Sequence, residues 1–204
     1  KRKEIHEKVG IAIEEIYSDR LEEFYEKLAY HYSQSDNWEK AYQYYRLSGD
    51  KLSERYFNWQ AVRCYREAIK SLKMLPATDE NRRRVIEISL LIEGPMIVLG
   101  YPEDSLEILL EAEKLSMEQG DKKSLAVFQG RIRLCHTFKG DPKQGLRYTE
   151  QCFINAESIK DVDLAASTAF DLAAAYTIAG EHLKIVELVP KALALLESGG
   201  GEYI

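Results

Sequence analysis

The sequence predicts an all-α protein built as a stack of antiparallel helix pairs. Three observations carry this. Gly100, Gly140 and Gly180 recur at a step of 40 residues, each after an apolar stretch and before an acidic or polar turn (VLG-YPED, FKG-DPKQ, IAG-EHLK). Between them the apolar residues fall three and four apart, as in Leu106, Leu109, Leu110, Ala112 and Leu115, which is the period of a helix face. β-branched alternation is absent, and the turns carry the Gly, Asp, Asn and Pro that helix ends prefer. One helix pair cannot bury its apolar face alone, so its neighbours must cover it.

Taken in order, residues 1–20 form a leading helix. Residues 21–78 hold two compressed units, in which Leu28-Ala29, Tyr32, Ala41 and Tyr45 are echoed by Gly49, Leu52, Ala61, Tyr65 and Ala68. The small-to-small step is 12 in both, Ala29 to Ala41 and Gly49 to Ala61. Small residues there let two backbones approach while the aromatic ring fills the gap beside them. One long helix, about 38–56, is expected to serve both units. Residues 79–198 hold three units of 40 residues, with Ile92, Ile132 and Leu172 in one shared slot and Ala112, Cys152 and Ala192 in another. A second punctuation, at Gly120-Asp121, Lys160-Asp161 and Gly199-Gly200, divides each unit in two, and residues 199–204 read as a flexible tail. Asp104, Asp141 and Asp161 are candidate N-caps or first-turn acids. Gly94-Pro95 predicts a break or kink at 91–95, because proline removes an amide donor and clashes with the carbonyl four residues back. Pro190 should bend the last helix similarly, near 186–190. The array is expected to be continuous, with no globular boundary inside.

Composition narrows the function. Of 204 residues, 45% are apolar and 30% charged, enough for a buried core and too apolar for disorder. Charges interrupt every apolar run well short of a membrane span. The formal charge is −6, divided as +1 over 1–78 and −7 over 79–204, which argues against binding a nucleic-acid backbone. Arg82-Arg83-Arg84 fan around a helix and read as its solvated start. Three cysteines, Cys64, Cys135 and Cys152, lack CxxC spacing and fit free thiols in a reducing cytoplasm. His6, His31, His136 and His182 lie far apart in sequence and form no metal-binding motif. No phosphate loop, dinucleotide fingerprint or nucleophile elbow is present, so no catalytic residue, cofactor or metal is assigned.

The order Leu28-Ala29, Tyr32, Ala41, Tyr45, matched again by Leu172-Ala173, Tyr176, Gly180 and Ala192, resembles the tetratricopeptide repeat. That resemblance spans about 21–198 and implies a right-handed superhelical solenoid of antiparallel helix pairs. The later units look like the longer-helix variety of bacterial signalling proteins, although Glu93 and Arg133 sit where a small residue is usual. Residues 1–75 resemble the segment after the ATPase module in large bacterial adenylate or guanylate cyclase-like proteins, through Ile5-His6, Ile16-Tyr17-Ser18-Asp19-Arg20-Leu21, Leu28-Ala29-Tyr30-His31-Tyr32 and Trp38-Glu39-Lys40-Ala41. This implies a repeat region cut from a longer cytoplasmic protein whose nucleotide chemistry lies elsewhere.

By the same resemblance, the first helix of each pair should line a concave face that binds a protein, a peptide or other domains of the same chain. The expected groove residues are Gly130, Leu134, Thr137 and Phe138 in one unit and Phe170, Ala174 and Thr177 in the next. Those slots could equally be covered by neighbouring helices. Tyr25, Tyr32 and Tyr45 read as core, whereas Tyr30 and Tyr44 point elsewhere around their helices and are candidate aromatic contacts for a partner. Gly130 and Leu134 occupy the positions where a carboxylate-gripping repeat would need Lys and Asn, so that function is rejected. The leading reading is a non-catalytic interaction or effector-sensing module. A sensor domain of a maltose-regulator-like transcription factor and a freestanding self-assembling scaffold are the alternatives.

Overall fold

A computed structural model describes residues 1–198. The helices are α1 (Arg2–Ile16), α2 (Tyr25–Gln34), α3 (Trp38–Glu54), α4 (Asn58–Lys73), α5 (Asp79–Leu91), α6 (Glu93–Val98), α7 (Ser105–Glu118), α8 (Lys122–Phe138), α9 (Pro142–Ile159), α10 (Val162–Ala179) and α11 (His182–Ser198). A 3-10 segment, Ser18–Glu23, joins α1 to α2. Among the described residues there is no strand, and no helix is long and apolar enough to cross a membrane. The fold is that of tetratricopeptide-like helical repeats. The expected tail, 199–204, lies outside the described residues.

The chain separates into two compact units, Lys1–Pro102 and Glu103 onward, where the glycine step predicts one array without an internal boundary. The division falls at a distinctive turn. Gly100 and Tyr101 are both left-handed (φ 69° and 58°), and Pro102 follows them in the connection from α6 to α7.

The remaining punctuation follows one backbone rule. At 36/37, 56/57, 120/121, 140/141, 160/161 and 180/181 a left-handed residue closes one helix, and the next amide bonds the carbonyl five residues back. Examples are Asn37 to Tyr32 (3.0 Å), Phe57 to Leu52 (2.9 Å) and Asp141 to His136 (2.9 Å). This bond satisfies a carbonyl that the helix end leaves bare, and only glycine enters that conformation without steric cost. Asn37, Asp121, Asp141 and Asp161 then cap the following helix, each side chain accepting from the backbone three residues on. Asp104 holds the N-cap position of α7 without such a bond.

A helix break accompanies one of the two prolines. α5 stops at Leu91 and α6 restarts at Glu93, so Pro95 interrupts the helix as its missing donor demands. At Pro190 no break occurs, and α11 runs through it. Pro190 and Val186 are both exposed, so water can reach the carbonyl that loses its partner.

In the N-terminal unit α3 packs on both α2 and α4, the sharing expected of the long helix. Leu28, Ala29, Tyr32, Ala41 and Tyr44 form its buried centre. A Cβ on Gly49 would lie 2.6 Å from the Tyr65 ring, and one on Gly10 would lie 2.8 Å from the Tyr32 ring. Glycine and a fully packed tyrosine thus form matched pairs on adjacent helices. In the C-terminal unit the corresponding cluster joins Phe153, Ala156, Ala165, Ala169, Leu172, Tyr176 and Leu188.

Buried tyrosines bring their hydroxyls to carboxylates, as a polar tip in a core must. The Glu14 carboxylate accepts from Tyr44 Oη (2.5 Å) and Lys40 Nζ (2.7 Å), while Lys40 also donates to Tyr32 Oη. Glu150 repeats the arrangement, accepting from Tyr176 Oη (2.7 Å) and Lys184 Nζ (3.2 Å). Burial works to raise the Glu14 pKa, but the bonds from Lys40, Tyr44 and Tyr32 outweigh it and hold it below the usual value.

Candidate functional site

The clearest concave surface of the C-terminal unit lies where the C-terminal half of α8, the start of α9 and the C-terminal half of α10 meet. It encloses about 530 Å³. Its floor is small and apolar: Gly145, Leu146, Ala174, Ala175 and Ala179, with Pro142 at one edge. Gly145 sets its depth. A Cβ there would fall 3.2 Å from Thr137 Oγ1 and 3.4 Å from the Arg133 carbonyl, so α9 begins pressed against α8. Thr137 and Thr149 turn their hydroxyls onto their own helices, bonding Arg133 O (3.0 Å) and Gly145 O (2.9 Å).

Charge borders this floor. Arg133 on α8 donates to Asp171 on α10 at 2.6 Å, a pair that spans the groove and is partly shielded from water. Lys143 and Glu181 complete the rim. The surface can take up an apolar side chain and fix its flanking backbone or charges by rim contacts.

Of the residues expected to form the groove, Thr137 and Ala174 line it. Gly130 and Leu134 are half-buried and outside it, and a Cβ on Gly130 would be 3.8 Å from Cys152 Sγ, which marks Gly130 as a packing position between α8 and α9. Phe138 (61% exposed) and Phe170 (78%) stand on the surface away from the cavity lining, and Thr177 is exposed with its hydroxyl returned to Ala173 O. The aromatic pair in the N-terminal unit divides. Tyr30 is half-exposed, edge-on to His6 and His31. Tyr44 is core, stacked on Tyr32 with its hydroxyl on Glu14, and corrects the expectation of a partner contact. Its place follows from α1, whose Glu14 supplies the bond that lets a tyrosine be buried there.

Four other residues behave differently from expectation. His6 and His31, distant in sequence, meet with Nδ1 atoms 3.0 Å apart. Arg84 is not a solvated helix start: it bonds Glu39 (2.9 Å) and Glu80 (2.6 Å) and lies over the Tyr42 ring. Arg133, noted only as an unusual occupant of a small-residue slot, supplies the cation of the groove. Its partner Asp171 carried no signal in the sequence, because nothing local marks two residues on separate helices as neighbours. The three cysteines are buried and unpaired by disulfides, as expected. Burial pushes the Cys152 thiol up despite its contact with Thr168, which keeps it protonated at neutral pH. Among the described residues no three His, Cys, Asp or Glu side chains converge to hold a metal ion.

A second cleft, about 310 Å³, lies between α9, α10 and α11, edged by Tyr176, Glu150 and Lys184. The Tyr176 hydroxyl, desolvated and bonded to Glu150, is pushed up to about 12 and stays a donor.

No protein-family model matches the chain, and no curated protein matches it significantly. Among solved structures, the fold is similar to aspartyl phosphate phosphatase F from Bacillus subtilis (TM-score 0.64, 13% identity, 88% of this chain and 46% of that one). It is similar also to the apo form of RapI (TM-score 0.58, 15% identity, 88% and 71%). A third is the Rap conjugation gene regulator of plasmid pLS20 in complex with the Phr* peptide (TM-score 0.54, 16% identity, 88% and 48%). The chain spans about half the length of the first and third. At these identities the likeness establishes the fold, a tetratricopeptide-like helical repeat.

Proposed function

We propose that this chain is a non-catalytic binding module whose α8–α9–α10 groove receives a peptide or a segment of a protein partner. The observation that carries this is the groove itself: an apolar floor made of glycine, alanine and leucine, bordered by a cross-helix ion pair and further charges. An extended segment with an aliphatic side chain fits such a surface, the floor giving affinity and the rim giving orientation. The pLS20 regulator, which shares the fold, is a peptide-bound structure and supports the reading.

The wider setting belongs to the same proposal. The module would report its bound state to other domains of a longer signalling protein, of the cyclase or ATPase type that residues 1–75 resemble. Its three buried free thiols suit a reducing cytoplasm.

The test is selection of a displayed random-peptide library on the whole chain, followed by affinity measurement against groove variants. Ala174→Trp fills the floor and Asp171→Ala unpairs Arg133. The proposal requires that selected peptides lose affinity for Ala174→Trp and keep it for Phe170→Ala, which lies outside the groove. Peptides indifferent to Ala174→Trp would refute it.

A further inference from the structure

Six two-residue turns share one backbone, and one of them breaks its chemical rule twice. The left-handed position holds Gly120, Gly140 and Gly180, or Asp36 and Lys160; at position 56 it holds tyrosine, with φ 61°. A bulky aromatic residue there is a steric outlier, where Gly or Asp would relieve the cost. The next position holds Asn37, Asp121, Asp141, Asp161 or Glu181; at 57 it is phenylalanine, and α4 starts with no side-chain cap. Both departures leave the backbone bond unchanged, since Phe57 N still reaches Leu52 O at 2.9 Å.

Neither aromatic is repaid by burial. Tyr56 is 84% exposed, Phe57 51%, and Trp59, two residues on, 62%. Arg55 beside them is exposed and makes no ion pair among the described residues. Sequences that break a local rule without a packing gain do so where function is placed. Tyrosine, tryptophan and arginine are also the residue types that dominate binding hot spots.

We infer that this aromatic turn, Arg55 to Trp59, inserts into an apolar cleft with an acidic rim on another protein. Charge decides for a protein over a membrane surface. Anionic lipid attracts clusters of basic residues, but Lys51 is engaged by Glu22 O and Arg63 by Glu26, leaving Arg55 as the local cation without a partner. Exposed Glu54 precedes Arg55, so the patch carries no net charge to draw it to an anionic lipid surface, while the guanidinium beside three aromatic rings suits a carboxylate at the edge of a cleft. The surface lies in the N-terminal unit and does not depend on the α8–α9–α10 groove.

Two measurements test the inference. First, Tyr56→Gly with Phe57→Asp restores the chemistry of the other turns, and the unit's thermal midpoint should rise by about 4 °C or more. An unchanged or lower midpoint removes the premise that this turn forgoes stability. Second, a photoreactive phenylalanine analogue is placed at position 56 in the full-length protein within its native host, with Arg83 as a control position. The inference requires one protein adduct whose modified residue lies in an apolar cleft bearing carboxylates. Binding of that purified protein should fall about 30-fold or more with Trp59→Ala and at least several-fold with Arg55→Glu. An adduct to lipid, an adduct to a second copy of the chain, or a yield no greater than at Arg83 overturns it.

Discussion

Replacing Gly49 by alanine should destabilise the N-terminal unit, although alanine is the better helix former. In α3 the substitution gains about 0.5–1 kcal/mol in propensity. Against that, the new methyl would stand 2.6 Å from Tyr65 Cε1, 2.7 Å from Cδ1 and 3.0 Å from Cζ. Carbon atoms rest about 3.5 Å apart, so the ring must retreat by about 1 Å. Tyr65 is 2% exposed and has no empty space to enter. Overpacking of this kind costs about 1–3 kcal/mol. The ring is also anchored by its hydroxyl, which donates to Asp50 Oδ1 at 2.7 Å, and disturbing a bond to a carboxylate adds about 1 kcal/mol or more. The net loss should be about 1–3 kcal/mol. Both tryptophans, Trp38 and Trp59, lie in this unit, so urea unfolding followed by their emission reports on it selectively. Gly130, in the interior of α8, is the control: an added Cβ meets Cys152 Sγ at 3.8 Å, an ordinary contact, and Gly130→Ala should be neutral or stabilising in a melt of the C-terminal unit. A Gly49→Ala protein as stable as the parent would refute the claim that glycine and tyrosine are matched across α3 and α4.

Three further outcomes follow from the polar contacts. Glu14 titrates below the usual carboxylate value, so its contribution is present above that value and lost as pH falls through the folded one. Urea midpoints should therefore drop between about pH 6 and about pH 3, and Glu14→Gln should flatten that slope. His31 is held below the ordinary imidazole value by burial and by His6, so stability is complete above the ordinary value and lost on acidification. Amide protection in α1 and α2, taken relative to the intrinsic exchange rate at each pH, should fall on acidification below the ordinary imidazole value, less so in His31→Gln. Asp141→Ala removes the cap bond to Gln144 N and should cost about 1 kcal/mol in melts of the C-terminal unit.

What could be read in the sequence was periodic. Gly100, Gly140 and Gly180 stand out because the helix end imposes a backbone only glycine adopts freely, and the same demand recurs at every unit. The Gly49 and Tyr65 packing was legible for a similar reason, since two compressed units repeat it. Gly10 against Tyr32 obeys the same rule yet carried no signal, because α1 has no preceding copy for comparison. Two of the seven residues expected in a groove line the α8–α9–α10 cavity. Thr137 and Ala174 follow from repeat register, but Phe138 and Phe170 in neighbouring slots point away, since register fixes a Cα position and not which neighbour covers it. Arg133 with Asp171, His6 with His31 and Glu14 with Lys40 are tertiary pairs, and no local pattern encodes them. Pro95 and Pro190 look alike in sequence. Only the first coincides with a helix break, and exposure does not separate them, since Leu91 and Val186, four residues before each proline, are both exposed.

The central claim is that the α8–α9–α10 groove is the binding surface, and the affinity of a library-selected peptide for Ala174→Trp relative to the parent chain tests it most directly. With the thermal midpoint unchanged, the account predicts a loss of about 30-fold or more. A ratio near unity in a folded variant would contradict it and move the binding surface elsewhere on the chain.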